Sequence, residues 1–77
     1  MTYGKRMWLV GYYEGLVFFS LLVDELMAEG REEMIGFYVD EHVKEVEAGR
    51  VEMDGEDYRR GYQVGFEEGY RRMVMDR

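Results

Sequence analysis

Met7–Met27, MWLVGYYEGLVFFSLLVDELM, is the most apolar stretch of the chain and decides its fold. At 100° per residue, one broad face of this stretch collects apolar side chains at the spacings i, i+3, i+4 and i+7. The residues on that face are Trp8, Tyr12, Leu16, Phe19, Leu22, Val23 and Leu26. The spacing predicts a central helix over 5–29, around which the remaining elements pack.

The opposite side of this helix is only half polar. It carries three acids and four apolar residues, namely Glu14, Asp24, Glu25, Val10, Val17, Phe18 and Leu21. A helix that is apolar nearly all round needs cover on two sides, and a chain this short provides about two further helices. We therefore expect a second copy to supply part of the cover.

Three other interpretations of the apolar stretch stay open. Lys5 and Arg6 before an apolar run are typical of a signal peptide, although Glu14 interrupts the run and no small-residue cleavage site follows it. A membrane span needs ~20 apolar residues, more than this run offers. The segment LVFFSLLV at 16–23 has the composition of a buried strand, but its flanks continue the helical pattern.

Composition indicates one small domain over residues 1–77. The chain has 77 residues, ten glycines, no proline and no cysteine. A core of this size gives marginal stability without disulfides, so self-association is the expected additional support. The absence of cysteine excludes disulfides, thiolate metal sites and cysteine nucleophiles, and it is compatible with a reducing cytoplasm, where we place the protein.

The acidic charge is concentrated in the middle of the chain. Residues 24–57 hold 13 acidic and three basic residues, a net charge of −10, within a chain whose total is −7. Such a belt repels nucleic acid and attracts a basic protein. The predicted partner-binding residues are Glu32, Glu33, Asp40, Glu41, Glu45, Glu47, Glu52, Asp54, Glu56 and Asp57. The alternative is that these acids are solvated helix faces that keep a small protein soluble.

A second helix is predicted over 31–48. Its apolar positions form the cleanest amphipathic stripe in the chain: Ile35, Tyr38, Val39, His42, Val43 and Val46. Gly30 precedes this helix and Gly49 follows it, each where a glycine in the left-handed conformation ends a helix. The segment 49–56 is predicted to be a loop, with Asp54 capping a third helix over 55–75.

Glycines spaced by four residues mark helices 1 and 3. GYYEG begins at Gly11 and GYQVG at Gly61, and three glycines inside helix 3 cost about 3 kcal/mol in helix propensity. Close approach of two backbones would offset this cost. The predicted packing and self-association residues are Gly11, Gly15, Tyr58, Gly61, Tyr62, Gly65, Phe66 and Gly69. The contact is expected within one chain or across a dimer.

The sequence offers little for catalysis. His42 is the single histidine and lies on the stripe of helix 2, so a core-edge position is favoured over a metal or general-base role. Ser20 is expected to be buried, and Thr2 lies in a terminal segment, 1–4, that is expected to be frayed. No catalytic residue, metal ligand or cofactor is predicted, and no motif is specific enough to identify a family.

These observations predict an all-α domain of three helices that forms a homodimer. The main functional hypothesis is a non-enzymatic, acidic protein-binding domain without direct nucleic-acid or membrane binding. Its sharpest form is an inhibitor that engages a basic, nucleic-acid-binding surface, as phage-encoded anti-defence proteins do. The alternative is a structural or assembly module that self-associates through the glycine and tyrosine faces.

Overall fold

Three α-helices make up the fold in the computed structural model, which describes residues 2–76. Helix α1 spans Tyr3–Ala28, α2 spans Ile35–Glu47 and α3 spans Glu56–Met75, and a 3-10 turn at Glu32–Met34 leads into α2. No strand occurs between residues 2 and 76. The predicted all-α class with three helices is confirmed, and the apolar stretch at 16–23 is helical throughout.

The first helix begins earlier than predicted. Tyr3 and Gly4 are helical, because the hydroxyl of Thr2 accepts a hydrogen bond from the backbone N–H of Lys5 at 3.2 Å. A threonine N-cap of this kind satisfies one of the free N–H groups of the first turn. The prediction of a frayed 2–4 segment is therefore wrong, while Met1 lies outside the described residues.

Glycines end the first two helices as predicted. Gly30 has φ +70° and Gly49 has φ +76°, both in the left-handed region. Beyond each glycine, the next backbone N–H returns to the helix: Arg31 donates to the Leu26 carbonyl at 2.8 Å and Arg50 to that of Glu45 at 3.0 Å. This is the Schellman arrangement, which satisfies carbonyls at the helix end.

The start of α3 differs from the prediction. Gly55, with φ 112°, occupies the N-cap position, and no side chain caps the helix. Asp54 therefore does not cap α3. Glu56 and Asp57 place negative charge in the first turn, where it suits the helix dipole, and Glu56 also forms ion pairs with the guanidinium groups of Arg59 and Arg60.

Helices α1 and α3 pack in parallel through their glycines. Cβ atoms on Gly11 and Gly15 would overlap the carbonyl oxygens of Tyr58 and Tyr62 on α3. The relation is reciprocal, since Cβ atoms on Gly61 and Gly65 would overlap the carbonyl oxygens of Trp8 and Tyr12 on α1. Residue numbers rise together along both helices, which shows that they run in the same direction. Only glycine allows backbones this close.

Helix α2 returns along the pair formed by α1 and α3 and completes a small core. It runs antiparallel to α3: Gly36 lies beside the Tyr70 hydroxyl, and His42 lies beside the Tyr62 hydroxyl. The buried apolar residues are Phe19, Leu26, Ile35, Val39, Val46, Tyr62 and Phe66. Every residue of the two predicted stripes on α1 and α2 is buried or half-buried.

The other side of α1 remains uncovered by the described chain. Val10, Val17, Phe18 and Leu21 are 42%, 56%, 50% and 55% exposed. The protein measures 41 × 26 × 17 Å, and a thickness of 17 Å is less than two helix diameters. By length and composition α1 could cross a membrane, with a most apolar window of mean hydropathy 1.3 of which 17% is buried. Core helices of soluble proteins and signal sequences near the N-terminus meet the same criteria.

Candidate binding groove

A groove opens between α1 and α2 and has α3 as its floor. Helix α1 packs extensively on α3 but touches α2 only sparsely, so the two helices diverge above α3. The groove has a volume of about 550 Å³. Its lining comes from all three helices: Phe18, Leu21, Leu22, Glu25, Tyr38, Glu41, His42, Glu45, Tyr62 and Phe66. Cavities of this size accommodate small ligands or a few side chains of a partner.

The floor of the groove is aromatic and internally hydrogen-bonded. Tyr62 and Phe66 are 4% and 2% exposed. The centroid of the His42 ring lies 4.6 Å from the centroid of the Phe66 ring. A hydrogen bond of 2.8 Å joins His42 Nε2 to the Tyr62 hydroxyl. Since this bond uses the polar atoms nearest the floor, the surface that remains for a ligand is mainly apolar.

Burial keeps both polar groups of the floor uncharged at neutral pH. Desolvation lowers the pKa of His42, and the nearby Glu45 carboxylate only partly opposes this shift. Burial and, to a lesser extent, the charge of Glu14 raise the pKa of Tyr62 to about 12. A neutral imidazole beside a protonated phenol can share one hydrogen bond without burying a charge.

Three acids line the groove, Glu25 on α1 and Glu41 and Glu45 on α2, and no Lys or Arg is among the lining residues. Arg31 lies at one end of the groove, where its guanidinium donates to the hydroxyl of the lining residue Tyr38 at 2.7 Å. Glu45 pairs with Arg50 at 2.9 Å, and Glu41 lies 4.0 Å from the ammonium group of Lys44. Glu25 has no ion-pair partner within the described residues. The groove therefore combines an apolar interior with negative charge on both sides.

The predicted acidic belt does not form one surface around this groove. Of its ten residues only Glu41 and Glu45 reach the rim, and the third rim acid, Glu25, was not in the predicted set. Several others face cations of the same chain, such as Asp40, which lies 3.0 Å from Lys44. Glu47 accepts a hydrogen bond from Gln63 at 2.8 Å. Local partners thus occupy part of the belt.

The remaining belt acids are exposed and lie on separate elements. Glu32 and Glu33 belong to the 3-10 turn, Glu52 and Asp54 to the loop before α3, and Glu56 and Asp57 to the first turn of α3. The side chain of Asp57 lies beside the backbone of Gly4 in α1. These positions are compatible with the solvated-face interpretation as well as with a partner surface.

The predicted packing residues come together inside the chain. Gly11, Gly15, Gly61 and Gly65 form the contact between α1 and α3, and a Cβ on Gly69 would lie 2.6 Å from Cδ2 of Phe19. Tyr58 is half-buried beside them, and its hydroxyl donates to Glu14. Burial and this hydrogen bond raise the pKa of Tyr58 well above the ordinary value. Self-association through the glycines would require α3 to leave α1.

Between residues 2 and 76 no cluster of three or more His, Cys, Asp or Glu side chains could hold a metal ion. Ser20, predicted to be buried, is instead exposed on α1. It lies on the side of the helix away from α3, because the glycine contacts place the buried side at Gly15 and Phe19.

Comparison with known proteins adds no functional assignment. No protein family, curated protein or solved structure matches this chain.

Proposed function

We propose that this chain is a non-enzymatic protein-binding domain whose groove receives the apolar face of a basic amphipathic helix of another protein. The observation that carries the proposal is the combination of an aromatic floor with acids on both sides of one opening. Helix-in-groove recognition uses apolar anchors, spaced at i, i+3, i+4 and i+7, that enter an apolar groove.

The geometry favours a helix with flanking cations. Glu25 stands on one side of the groove and Glu41 and Glu45 on the other, so Lys or Arg residues on either side of an apolar stripe would meet a carboxylate. The half-exposed rings and methyl groups of Phe18 and Leu21 extend the apolar wall toward solvent. Apolar contacts would supply most of the affinity and the charges would supply orientation and faster association.

The net charge of −7 acts in the same direction at longer range. A negative field attracts a basic surface and raises the association rate at low ionic strength. An inhibitor that covers the nucleic-acid-binding surface of another protein is the narrower form of this proposal. Its support is the charge alone, whereas the groove supports the broader one.

A peptide-binding experiment tests the groove. The probe is a fluorescein-labelled helical peptide of about 14 residues with a leucine stripe flanked by lysines, and the control probe is the same composition in scrambled order. Fluorescence anisotropy at low salt compares wild type, Glu41→Lys and Asp40→Lys. Asp40 is the matched control because it adjoins Glu41, contacts the same Lys44 and does not line the groove.

We expect Glu41→Lys to weaken binding about tenfold and Asp40→Lys to weaken it no more than about twofold, since only the former faces the occupant. The scrambled peptide should bind much less tightly than the peptide with the leucine stripe. Equal effects of the two substitutions would mean that only the net charge matters and would overturn the assignment of the groove. Equal binding of both peptides would do the same.

A further inference from the structure

The side of α1 that faces away from α3 forms a second apolar surface, distinct from the groove. This outer face consists of Val10, Tyr13, Val17 and Leu21, which are 42%, 62%, 56% and 55% exposed. Their spacing places them in one stripe along the helix. Phe18 and Leu22 lie on the neighbouring flank, toward the groove, and only Leu21 borders both surfaces.

The outer face has opposite charges at its two ends. Arg6 and Asp24 lie about five helical turns apart and therefore share the azimuth of Val10 and Val17. Both side chains are exposed, and neither forms an ion pair with another described residue. The face thus runs from a cation near the N-terminus, through four apolar residues, to an anion near the C-terminus.

From this pattern we infer that a second copy of the chain binds the outer face, with the two α1 helices antiparallel. Residues whose numbers sum to about 30 then face each other, because the twofold axis crosses the outer face at the level of residue 15 along the helix. Arg6 meets Asp24 of the second copy, Val10 meets Leu21, and Tyr13 meets Val17. A parallel pair would instead place Arg6 on Arg6 and Asp24 on Asp24, so the charges select the antiparallel arrangement.

The size of this contact sets the expected affinity. From Arg6 to Asp24 the face is about 27 Å long and one helix wide, which is at the small end of specific interfaces. The chain exposes 5380 Å², against roughly 4,900 Å² for a typical monomer of its mass. A contact of this size leads us to expect a dimer that dissociates in the micromolar range.

The dimer and the groove occupy neighbouring sides of α1 and share only Leu21. Rim residue Glu25 and floor residues Tyr62 and Phe66 do not belong to the outer face. A dimer of this geometry leaves both grooves accessible, so failure of the groove proposal would not remove it.

Sedimentation equilibrium from about 5 to about 500 µM tests the dimer, a range chosen for interfaces of this size. Val17→Asp should raise the dissociation constant at least about tenfold, since it places a carboxylate in the apolar contact. Phe37→Asp is the matched control, because Phe37 is likewise 56% exposed but lies on α2. Circular dichroism verifies that both variants stay helical.

Charge reversal tests the orientation. Arg6→Asp and Asp24→Arg should each weaken association, and the double variant should restore it to within about twofold, because opposite charges meet again only in the antiparallel pair. The chain has no cysteine, so introduced cysteines can also report the geometry. A mixture of the Arg6→Cys and Asp24→Cys proteins should form the mixed disulfide in preference to either homodimer.

Three outcomes would overturn the inference. They are a wild type that is monomeric at the highest concentration, equal effects of Val17→Asp and Phe37→Asp, and a double charge variant that remains weak. If the monomeric wild type instead sediments with phosphatidylcholine vesicles and Val17→Asp releases it, a membrane and not a second copy covers the outer face.

Discussion

Replacing Gly65 by alanine should destabilise the fold even though alanine favours helices. Taken alone, the gain in helix propensity is about 1 kcal/mol. The new Cβ, however, would overlap the carbonyl oxygen of Tyr12, a rigid backbone atom. To reach ordinary contact the two helices must separate by more than about 1 Å, and a gap of ~0.5–1 Å already costs each neighbouring contact a quarter to a half of its attraction.

The separation would affect the whole contact, because Gly11, Gly15 and Gly61 share it. Overpacking of this kind costs typically about 1–3 kcal/mol, and the loosened neighbouring contacts add to it. After subtracting the propensity gain, we expect a net loss of about 2 kcal/mol. That is a large fraction of the total stability, which for a chain of this length is about 4–12 kcal/mol.

Urea unfolding followed by circular dichroism at 222 nm measures the loss. With an m-value of about 1 kcal/mol/M for a small protein, the midpoint should fall by about 2 M. Gly36→Ala is the matched control: this glycine is also helical, in the first turn of α2, but a Cβ there meets only the end of the Tyr70 side chain, with the hydroxyl at 3.0 Å. Its midpoint should stay unchanged or rise. A Gly65→Ala protein as stable as wild type would refute the close packing of α1 on α3.

Two further predictions concern protonation and capping. Burial lowers the pKa of His42, so the unfolded chain binds more protons than the folded chain between the folded pKa and the ordinary value of 6.5. The contribution of neutral His42 to stability is therefore complete above pH 6.5 and is lost as the pH falls through the folded pKa. Denaturant midpoints at pH 7.5 and 5.5 should therefore differ more in wild type than in His42→Phe, and equal differences would contradict the burial of a neutral ring. Thr2→Ala should cost about 1 kcal/mol by removing the cap of α1, whereas Asp54→Ala should change the unfolding free energy by less than about 0.5 kcal/mol, because Asp54 caps nothing. Thermal melts of both variants measure these changes, and a large loss in Asp54→Ala would indicate that Asp54 caps α3.

The sequence allowed the helices to be predicted because their signals are local. The stripe on α1 and the glycines that end two helices each depend on neighbours within a few residues, and Gly30 and Gly49 adopt the expected conformation. The uncovered side of α1 could also be predicted from the sequence, since apolar residues such as Val10 and Val17 lie on the side of the helix opposite the buried stripe.

The errors occurred where one local signal had a competitor. Asp54 resembles an N-cap, but Gly55 already adopts the conformation that begins α3. Thr2 appeared too close to the terminus to matter, yet its hydroxyl caps α1. Ser20 was expected to be buried because it lies in the middle of the apolar stretch, yet it is exposed, since the next residue after Phe19 on a helix points about 100° away.

The groove could not be predicted from the sequence because it depends on the angle at which α2 leaves α1. The same stripe on α2 would fit a closed bundle, in which Tyr38 and His42 would touch α1. Close packing of α1 on α3 through glycines moves these two helices together and leaves α2 resting on α3. No pattern in the sequence predicts the resulting distance between α1 and α2.

The parallel pairing of the first and last helices also determines when the protein can fold during its synthesis. The glycine contacts join residues such as Gly15 and Phe66, which leave the ribosome far apart in time. At a synthesis rate of 5–20 residues per second, roughly 3–10 s separate the synthesis of α1 from that of the residues of α3 that it contacts. Throughout that interval its apolar residues are accessible to chaperones and proteases. A premature stop codon within α3 would therefore remove the partner of α1, and we expect the truncated chain to be degraded instead of folding into a shorter domain.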